Sequence, residues 1–317
     1  MGLFGCQVFW QKIYKKHVGS MKISVITPFY NGQEYMKAYL ETMLVNKDHL
    51  QRDGHELEII LVNDSPEVTL VPKDYCEYIE DVVVVVNEKN SGIHFSRVKG
   101  LEVASGDCVI FLDQDDLLTG DALLCYADAL EKQASDVLVA NAFLEQSDGH
   151  CELWYRTPYH KSLVSDLETY LKVGIQIISP GHTIIKKSVI PSFWKEHIMS
   201  INGADDYFLW LLMLSSGIHF DYLDLPLYIH KYTGTNLSAD TTVTDESIFE
   251  FLEYLGDFES FKQEDIFTLH SMISYKNQFR NSDIIGKMGC SLANFSIFLT
   301  NLKYKRKTKT AYGFNRE

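Results

Sequence analysis

The sequence predicts an α/β protein in which a mostly parallel β-sheet is flanked by helices, with a helical extension at the C-terminal end. Three observations carry this prediction. Short β-branched runs alternate with helical patterns from residue 22 onward. These runs are continuously apolar, as in strands that are covered on both faces. Beyond residue 244 the pattern is wholly helical.

Strand and helix alternate in order through the first half of the chain. We expect strands at 22–27, 57–62, 82–86, 108–112 and 137–142, separated by helices that include 32–46, 92–104 and 120–134. The more aromatic region that follows predicts strands at 182–187 and 220–230 and a helix starting near Asp205. We therefore divide the chain into an N-terminal extension, 1–21, a main domain, 22–240, and a helical region with a basic tail, 241–317.

Composition limits the class of protein. A chain of 317 residues that is 46% hydrophobic can bury a substantial core. Its net charge of −14 argues against a nucleic-acid binder, which needs a broad basic surface to displace counterions from phosphates. Six cysteines without a CxxC pair or regular spacing indicate free, mostly buried thiols in a reducing compartment. No uncharged apolar run is long enough to span a bilayer, so we expect the body of the protein in the cytoplasm.

The two ends of the chain differ from this acidic body. The segment 8–18, VFWQKIYKKHV, mixes aromatic residues with lysines, and the segment 303–309, KYKRKTK, is a basic run. Both are suited to peripheral contact with an anionic membrane at the inner face. Solvated, partly disordered termini are the alternative, and the sequence leaves both interpretations open.

The run VIFLDQDDLL at 109–118 ends in three carboxylates, Asp113, Asp115 and Asp116, which we call the acidic cluster. In an open parallel sheet, ligands bind at the carboxyl ends of the strands. Alternation along a strand points Asp113 and Asp115 the same way. Paired hard oxygens suit Mg²⁺ or Mn²⁺, which can also hold the phosphates of a nucleotide. The alternative is a polar turn that leads to a helix capped by Asp121.

Four segments together resemble a known family: 23–44, 57–66, 87–118 and 202–214. They read ISVITPFYNGQEYMKAYLETML, LEIILVNDSP, NEKNSGIHFSRVKGLEVASGDCVIFLDQDDLL and NGADDYFLWLLML. Their order and context are similar to those of the family-2 inverting glycosyltransferases. The resemblance covers residues 22 to about 240 and implies the Rossmann-like A-type fold that binds nucleotide-sugars.

The resemblance implies a base-binding wall after the first strand, formed by Pro28, Phe29 and Tyr30. It also implies that Asp64 accepts a hydrogen bond from the base. The family usually has a second carboxylate at the position of Asn63, so the identity of the base stays open, with uracil the more frequent choice. A core position for Tyr30 and a simple polar turn around Asp64 are the alternatives.

The resemblance further implies contacts to the phosphates and the metal. Arg97 matches an arginine that faces the nucleotide, whereas solvent-exposed Lys99 is a weaker candidate. The helix N-terminus near Gly92 adds partial positive charge. The acidic cluster matches the residues that contact the metal and the ribose in the family. Asp113 and Asp115 are also expected to contact the nucleotide-sugar. Which of its carboxylates touches the ion stays open.

A second acidic pair, Asp205 and Asp206, precedes the apolar helix YFLWLLML. By resemblance Asp206 is the catalytic base and Asp205 supports it. Helix capping is the alternative role for these carboxylates. The segment YIHKYTGTNLS resembles one that carries a basic residue near the diphosphate, a role for Lys231 or His230.

The resemblance implies a metal-dependent inverting glycosyltransferase with Mn²⁺ or Mg²⁺ as cofactor. Its donor is a nucleoside-diphosphate sugar, with a UDP-sugar favoured, and its acceptor is a hydroxyl of a glycan, a lipid-linked glycan or a glycoprotein. Transfer of a single sugar is expected because the Gln-x-x-Arg-Trp segment of processive synthases is absent. The alternatives are a nucleotidyltransferase, which would need a Gly-rich loop after the first strand, and a non-catalytic partner subunit.

Overall fold

The computed structural model describes residues 19–146, 148–232 and 241–310. The described residues form nine strands: β1 (Lys22–Phe29), β2 (Glu56–Asn63), β3 (Val82–Val86), β4 (Cys108–Phe111), β5 (Leu117–Leu118), β6 (Val137–Glu145), β7 (Cys151–Leu153), β8 (Thr183–Lys186) and β9 (Phe220–Lys231). The first helices are α1 (Gln33–Arg52), α2 (Pro72–Tyr75), α3 (Ile93–Val103), α4 (Ala122–Lys132), α5 (Pro158–Lys161), α6 (Leu167–Lys172), α7 (Ser192–Glu196) and α8 (Asp205–Ser215). Those that follow are α9 (Thr241–Leu255), α10 (Gln263–Arg280), α11 (Ile284–Ala293) and α12 (Phe295–Thr308), and Pro180–His182 and Lys187–Val189 form short 3₁₀ helices.

All nine strands belong to one sheet, in the order β3-β2-β1-β4-β8-β6-β9-β5, with β7 beside β6. Strands β1 to β4 are parallel to one another. Beyond β4 the sheet is mixed, because β8 runs antiparallel to both of its neighbours whereas β6 and β9 are parallel. The predicted α/β class with C-terminal helices is confirmed, and each predicted strand and helix overlaps an observed one.

Close packing holds helix α3 on the sheet. A Cβ on Gly100 would lie 2.3 Å from Ile26 Cγ2 and 3.1 Å from Val62 Cγ2, so glycine lets the helix approach β1 and β2. Helix α8 is buried on all sides, as expected for a helix that is apolar around its whole circumference. These two helices are therefore held in place by packing, and their N-terminal ends have fixed positions.

The C-terminal helices pack against the main domain. Phe251 of α9 stacks on Phe208 of α8 with ring centroids 5.5 Å apart. Lys276 of α10 is buried and donates a hydrogen bond to the carbonyl oxygen of Val173, just after α6. Within the described ranges, none of the helices combines the length and the apolar character that crossing a bilayer requires.

The five cysteines in the described ranges carry free thiols. Cys76, Cys108 and Cys290 are buried, as predicted, whereas Cys151 is exposed. Cys6 and the basic segment 8–18 lie outside the described residues, as does most of the YIHKYTGTNLS segment. The predictions that rest on them remain predictions.

Candidate active site

A cleft with a volume of about 500 Å³ opens at the carboxyl ends of β1, β2 and β4. Helices α3 and α8 begin at its edge. Nine of the eleven residues predicted for the site line this cleft: Pro28, Tyr30, Asp64, Arg97, Asp113, Asp115, Asp116, Asp205 and Asp206. The structure thus brings together residues that are far apart in the sequence.

The end of β1 forms one wall. Pro28 and Tyr30 line the cleft, and Tyr30 is half exposed. Gln114 fixes the backbone of Tyr30, because its side-chain oxygen accepts from Tyr30 N at 3.0 Å and its amide donates to Tyr30 O at 3.0 Å. Phe29 is fully buried in the core. The prediction for Phe29 was wrong, because side chains alternate along a strand and Phe29 points away from the side shared by Pro28 and Tyr30.

Asp64 follows β2 and organises the start of helix α3. Its carboxylate accepts hydrogen bonds from Asn87 Nδ2 at 2.8 Å, Ser91 N at 2.8 Å and Gly92 N at 2.9 Å. Gly92 has φ +90°, a backbone conformation that residues with a side chain rarely adopt. Asp64 therefore shapes the loop that borders the cleft, and it is itself one of the lining residues.

Arg97 links the two acidic groups of the cleft. Its Nη2 donates to Asp113 Oδ1 at 2.6 Å, and its Nη1 donates to Asp205 Oδ2 at 2.7 Å. Arg97 and Asp205 are both buried. Burial would lower the pKa of Arg97, but the charges of Asp205 and Asp113 raise it above its ordinary value. The guanidinium is thus a permanent cation shared by two carboxylates, and its contact with the nucleotide stays a prediction.

The members of the acidic cluster differ in their surroundings. Asp116 is buried and engaged on both oxygens: it accepts from Tyr228 Oη and from Lys231 N at 2.9 Å, and His230 Nδ1 lies 3.2 Å away. Asp115 faces the cleft, and burial together with the charges of Asp116 and Asp113 raises its pKa to about 7. A bound cation would favour the ionised form of such a carboxylate.

The cluster is not a ready-made cage for an ion. In the part of the chain that the structure describes, no three His, Cys, Asp or Glu side chains converge on one metal position. A divalent ion held by one or two carboxylates and by substrate phosphates needs no such cage. Asp115 fits that role by its charge and position, so a metal here remains a prediction. Asp121 stands at the N-cap of α4 without a side-chain capping bond.

At the end of β9, His230 lines the cleft and Lys231 does not. Lys231 contributes its backbone N–H to Asp116, so the prediction that its side chain faces the diphosphate is corrected. Tyr228 and His230 lie on one side of the strand because they are two residues apart. Burial would lower the pKa of His230, but its hydrogen bond to Asp116 and the nearby carboxylate charges raise it above the ordinary value.

Asp205 and Asp206 begin helix α8 at the opposite wall. The N-cap is Ala204, so neither carboxylate has the capping position. Asp206 Oδ1 accepts from Tyr207 N at 2.7 Å, and its other oxygen has no such fixed bond among the described contacts. Burial and the charge of Asp205 raise the pKa of Asp206 to about 7. A carboxylate with such a pKa can both accept and release a proton near neutral pH.

Sequence reasoning missed several residues of the cleft. Asn202 Oδ1 accepts from Ile93 N at 3.0 Å and so joins the start of α3 to the loop before α8. Ser179 Oγ donates to Asp113 Oδ2 at 3.4 Å. Gln114 and Asn202 stand inside the motifs quoted above, but only their partners in space reveal what they do. Ser179 stands in no motif.

Comparisons with known proteins identify the family of this chain. The family model described as Glycosyl transferase family 2 matches residues 24–193. An uncharacterised glycosyltransferase of Haemophilus influenzae is 33% identical over 77% of this chain and 81% of its own length. The chain belongs to glycosyltransferase family 2, which confirms the expected family and enzyme class.

Other comparisons match a smaller part of this chain or share its fold. The glucosyl-dolichyl phosphate glucuronosyltransferase of Haloferax volcanii is 32% identical over 38% of this chain and 37% of its own length. Against three bacterial relatives the match spans 15–18% of their length. The crystal structure of S. aureus TarS in complex with UDP-GlcNAc has a TM-score of 0.56 at 18% identity, covering 91% of this chain and 82% of that one. This likeness confirms the A-type fold.

Proposed function

We propose that the protein transfers a single sugar from a nucleoside-diphosphate sugar to an acceptor hydroxyl, with inversion at the anomeric carbon. The observation that carries the proposal is the bridge made by Arg97, which holds Asp113 and Asp205 within hydrogen-bond distance of one guanidinium. The bridge joins the acidic cluster at the end of β4 to the acidic pair at the start of α8. Donor and acceptor chemistry then share one cleft.

Asp206 acts as the general base in this proposal. The acceptor oxygen attacks the anomeric carbon, the bond from that carbon to the diphosphate oxygen breaks, and the electron pair leaves with the diphosphate. The acceptor proton passes to the Asp206 carboxylate. A base works best when its pKa is close to the operating pH, and the pKa of Asp206 is raised to about 7. Asp205 contributes by its charge and by its bond to Arg97.

The charge of the cleft supports metal dependence. Seven carboxylates line it, counting only described residues: Glu34, Asp64, Asp113, Asp115, Asp116, Asp205 and Asp206. Arg97, which two of these already neutralise, is the permanent cation of the same lining, and His230 is its one histidine among the described residues. A diphosphate entering this cleft would be repelled unless a cation accompanied it. Asp115, with Asp113 beside it, would hold Mg²⁺ or Mn²⁺, which when bound stabilises charge on the leaving diphosphate.

The donor is proposed to be a UDP-sugar. TarS, whose fold this chain shares, has been crystallised with UDP and with UDP-GlcNAc. In this chain the half-exposed ring of Tyr30 offers an apolar face beside Asp64, whose carboxylate accepts hydrogen bonds. Uracil has a ring to stack and an N–H to donate, so it suits this pair.

The acceptor is proposed to be a hydroxyl of a glycan, carried by a lipid or a protein. The name of the Haloferax volcanii relative refers to a sugar on dolichyl phosphate, and that of a Bacillus spizizenii relative to poly(ribitol-phosphate). Both names describe hydroxyl-rich polymers or lipid-linked glycans. The acceptor of this chain belongs to the same chemical class in our proposal.

The test begins with donor binding. Nucleotide-sugars are screened by their effect on the melting temperature with and without Mn²⁺, because a ligand that binds only the folded state raises it. Asp206→Asn is the matched control, since it should bind donor like the wild type and fail to transfer. Product stereochemistry is then determined by NMR. Retention of the anomeric configuration, or the absence of any stabilising nucleotide-sugar, would overturn the proposal.

A further inference from the structure

The last two helices expose a set of large apolar side chains. Seven of them are between 44% and 79% exposed: Ile284, Ile285, Met288, Leu292, Phe295, Leu299 and Leu302. We call this set the C-terminal apolar surface. Single exposed apolar residues are ordinary on a protein surface, but a contiguous group marks a site of interaction.

The helical spacing gathers these side chains on one side of each helix. Met288 and Leu292 are four residues apart on α11. Phe295, Leu299 and Leu302 follow on α12 at intervals of four and three residues, which places them along one side. Only Asn294 separates the two helices. The exposed apolar side chains therefore follow one side of each of two consecutive helices.

The opposite side of α12 is already used for packing. Tyr304 is buried and donates from its hydroxyl to Gln176 Oε1 at 3.0 Å. The carbonyl oxygen of Lys307 accepts from Thr157 Oγ1 at 3.0 Å. The exposed side is thus not the side that fixes the helix to the main domain.

The charge of this segment is opposite to that of the protein. Residues 284–310 contain six cationic side chains and no Asp or Glu, in a chain whose net charge is −14. The cations are Lys287, Lys303, Lys305, Arg306, Lys307 and Lys309. Arg306 continues the row of Phe295, Leu299 and Leu302 by one further helical turn. Apolar side chains and cations are therefore presented together.

We propose that the C-terminal apolar surface docks the protein on an anionic lipid bilayer. Apolar side chains would enter the boundary between headgroups and acyl chains, and the cations around 303–309 would contact the anionic headgroups. A second copy of the chain is a less suitable partner. It would bring the same six cations close to their counterparts, with no acidic residue in either segment to neutralise them.

The side of α12 that is packed on the main domain contacts the segment that leads to one wall of the cleft. Gln176, which Tyr304 contacts, stands two residues before Ile178, and Ile178, Ser179 and Pro180 line the cleft. Helix α12 is thus attached, through the hydrogen bond of Tyr304, to a segment that continues into the wall of the cleft. The inference goes beyond sugar transfer and does not depend on it.

The test is flotation with lipid vesicles in the absence of substrates. The full chain is expected to float with vesicles of phosphatidylcholine and phosphatidylglycerol, and not with phosphatidylcholine alone. In Lys303→Gln/Arg306→Gln/Lys309→Gln, affinity for the anionic vesicles should fall on the order of a hundredfold, since each cation near such a surface contributes about 1 kcal/mol. High salt screens the charges, so the vesicle binding that the wild type keeps at high salt comes from the apolar side chains. Leu292→Gln/Leu299→Gln should lose this salt-resistant binding.

The control removes as much charge elsewhere. Lys37→Gln/Lys73→Gln/Lys262→Gln changes three exposed lysines outside the surface, and it should float like the wild type. Equal flotation of all variants would overturn the proposal, as would no flotation of the wild type. A third outcome would also overturn the proposal: the wild type is a dimer that does not bind vesicles, and Leu292→Gln/Leu299→Gln is a monomer. The surface would then bind a second copy of the chain. Unchanged melting temperatures verify that the variants are folded.

Discussion

Asp206→Asn gives the sharpest test of the proposed mechanism. Asparagine is nearly isosteric with aspartate and its side-chain oxygen can still accept from Tyr207 N, as Asp206 Oδ1 does at 2.7 Å. Donor binding and folding should therefore survive. Turnover should fall on the order of a hundredfold to ten-thousandfold, which is what a positioned base commonly contributes. The assay is the rate of sugar transfer to the acceptor at saturating donor.

The same substitution should stabilise the protein at alkaline pH. The pKa of Asp206 is raised from an ordinary 3.8 to about 7, so the folded state keeps its proton to a higher pH than the unfolded state. The free energy of unfolding of the wild type should then fall as the pH rises from about 4 to about 7, by up to about 4 kcal/mol. Asp206→Asn has no carboxyl group at this position, so its free energy of unfolding should not show this decrease with pH. Denaturant unfolding of both proteins at about pH 4 and at about pH 8 measures the difference.

Asp205→Asn separates the base from its neighbour. The charge of Asp205 raises the pKa of Asp206, so its removal should lower that pKa and move the acid limb of the pH–rate profile to lower pH. Turnover should fall less than in Asp206→Asn. Near-normal turnover in Asp206→Asn would refute the assignment. A larger loss in Asp205→Asn would move the role of the base to Asp205.

Three further substitutions test other parts of the cleft. Asp115→Asn should weaken Mn²⁺-supported binding of UDP, measured by calorimetry, and equal affinity in both proteins would exclude Asp115 as the ligand. Arg97→Gln should destabilise the fold by about 3–5 kcal/mol, because it leaves buried carboxylates without their cation, and should shift the acid limb of the pH–rate profile to higher pH. Tyr228→Phe removes the hydroxyl that donates to buried Asp116 and should lower the free energy of unfolding by about 1–3 kcal/mol, whereas no loss in chemical denaturation would contradict that role.

Much of the fold could be predicted because local patterns determine it. The five-valine run at 82–86 is strand β3 at the predicted bounds, and the apolar segment after Asp206 is a buried helix. The mixed half of the sheet could not be predicted in this way. Strand β8 lies between β4 and β6 and runs antiparallel to both, a choice made by tertiary packing across long sequence separations.

The site could be predicted as a set of positions, but not as a network. Motifs located the carboxylates at strand ends, and alternation along each strand decided which side chains reach the cleft. The error at Lys231 has a structural cause. Strand β9 pairs with β6 through register shifts around Asn141, opposite Pro226, which change the alternation just before residues 228–231. A proline within a strand pattern signals such an irregularity, but it does not say to which side the following side chains turn.

The role of Arg97 shows why sequence alone could not complete the site. Its partner Asp205 is 108 residues away, so no local pattern connects them. A buried guanidinium is costly unless it is paired, and Arg97 meets this need with one carboxylate from each acidic group. The positions of the two groups are therefore interdependent: neither Asp113 nor Asp205 can move without leaving this cation partly uncompensated. The arrangement that stabilises the buried charge also fixes the distance between the proposed donor site and the proposed base.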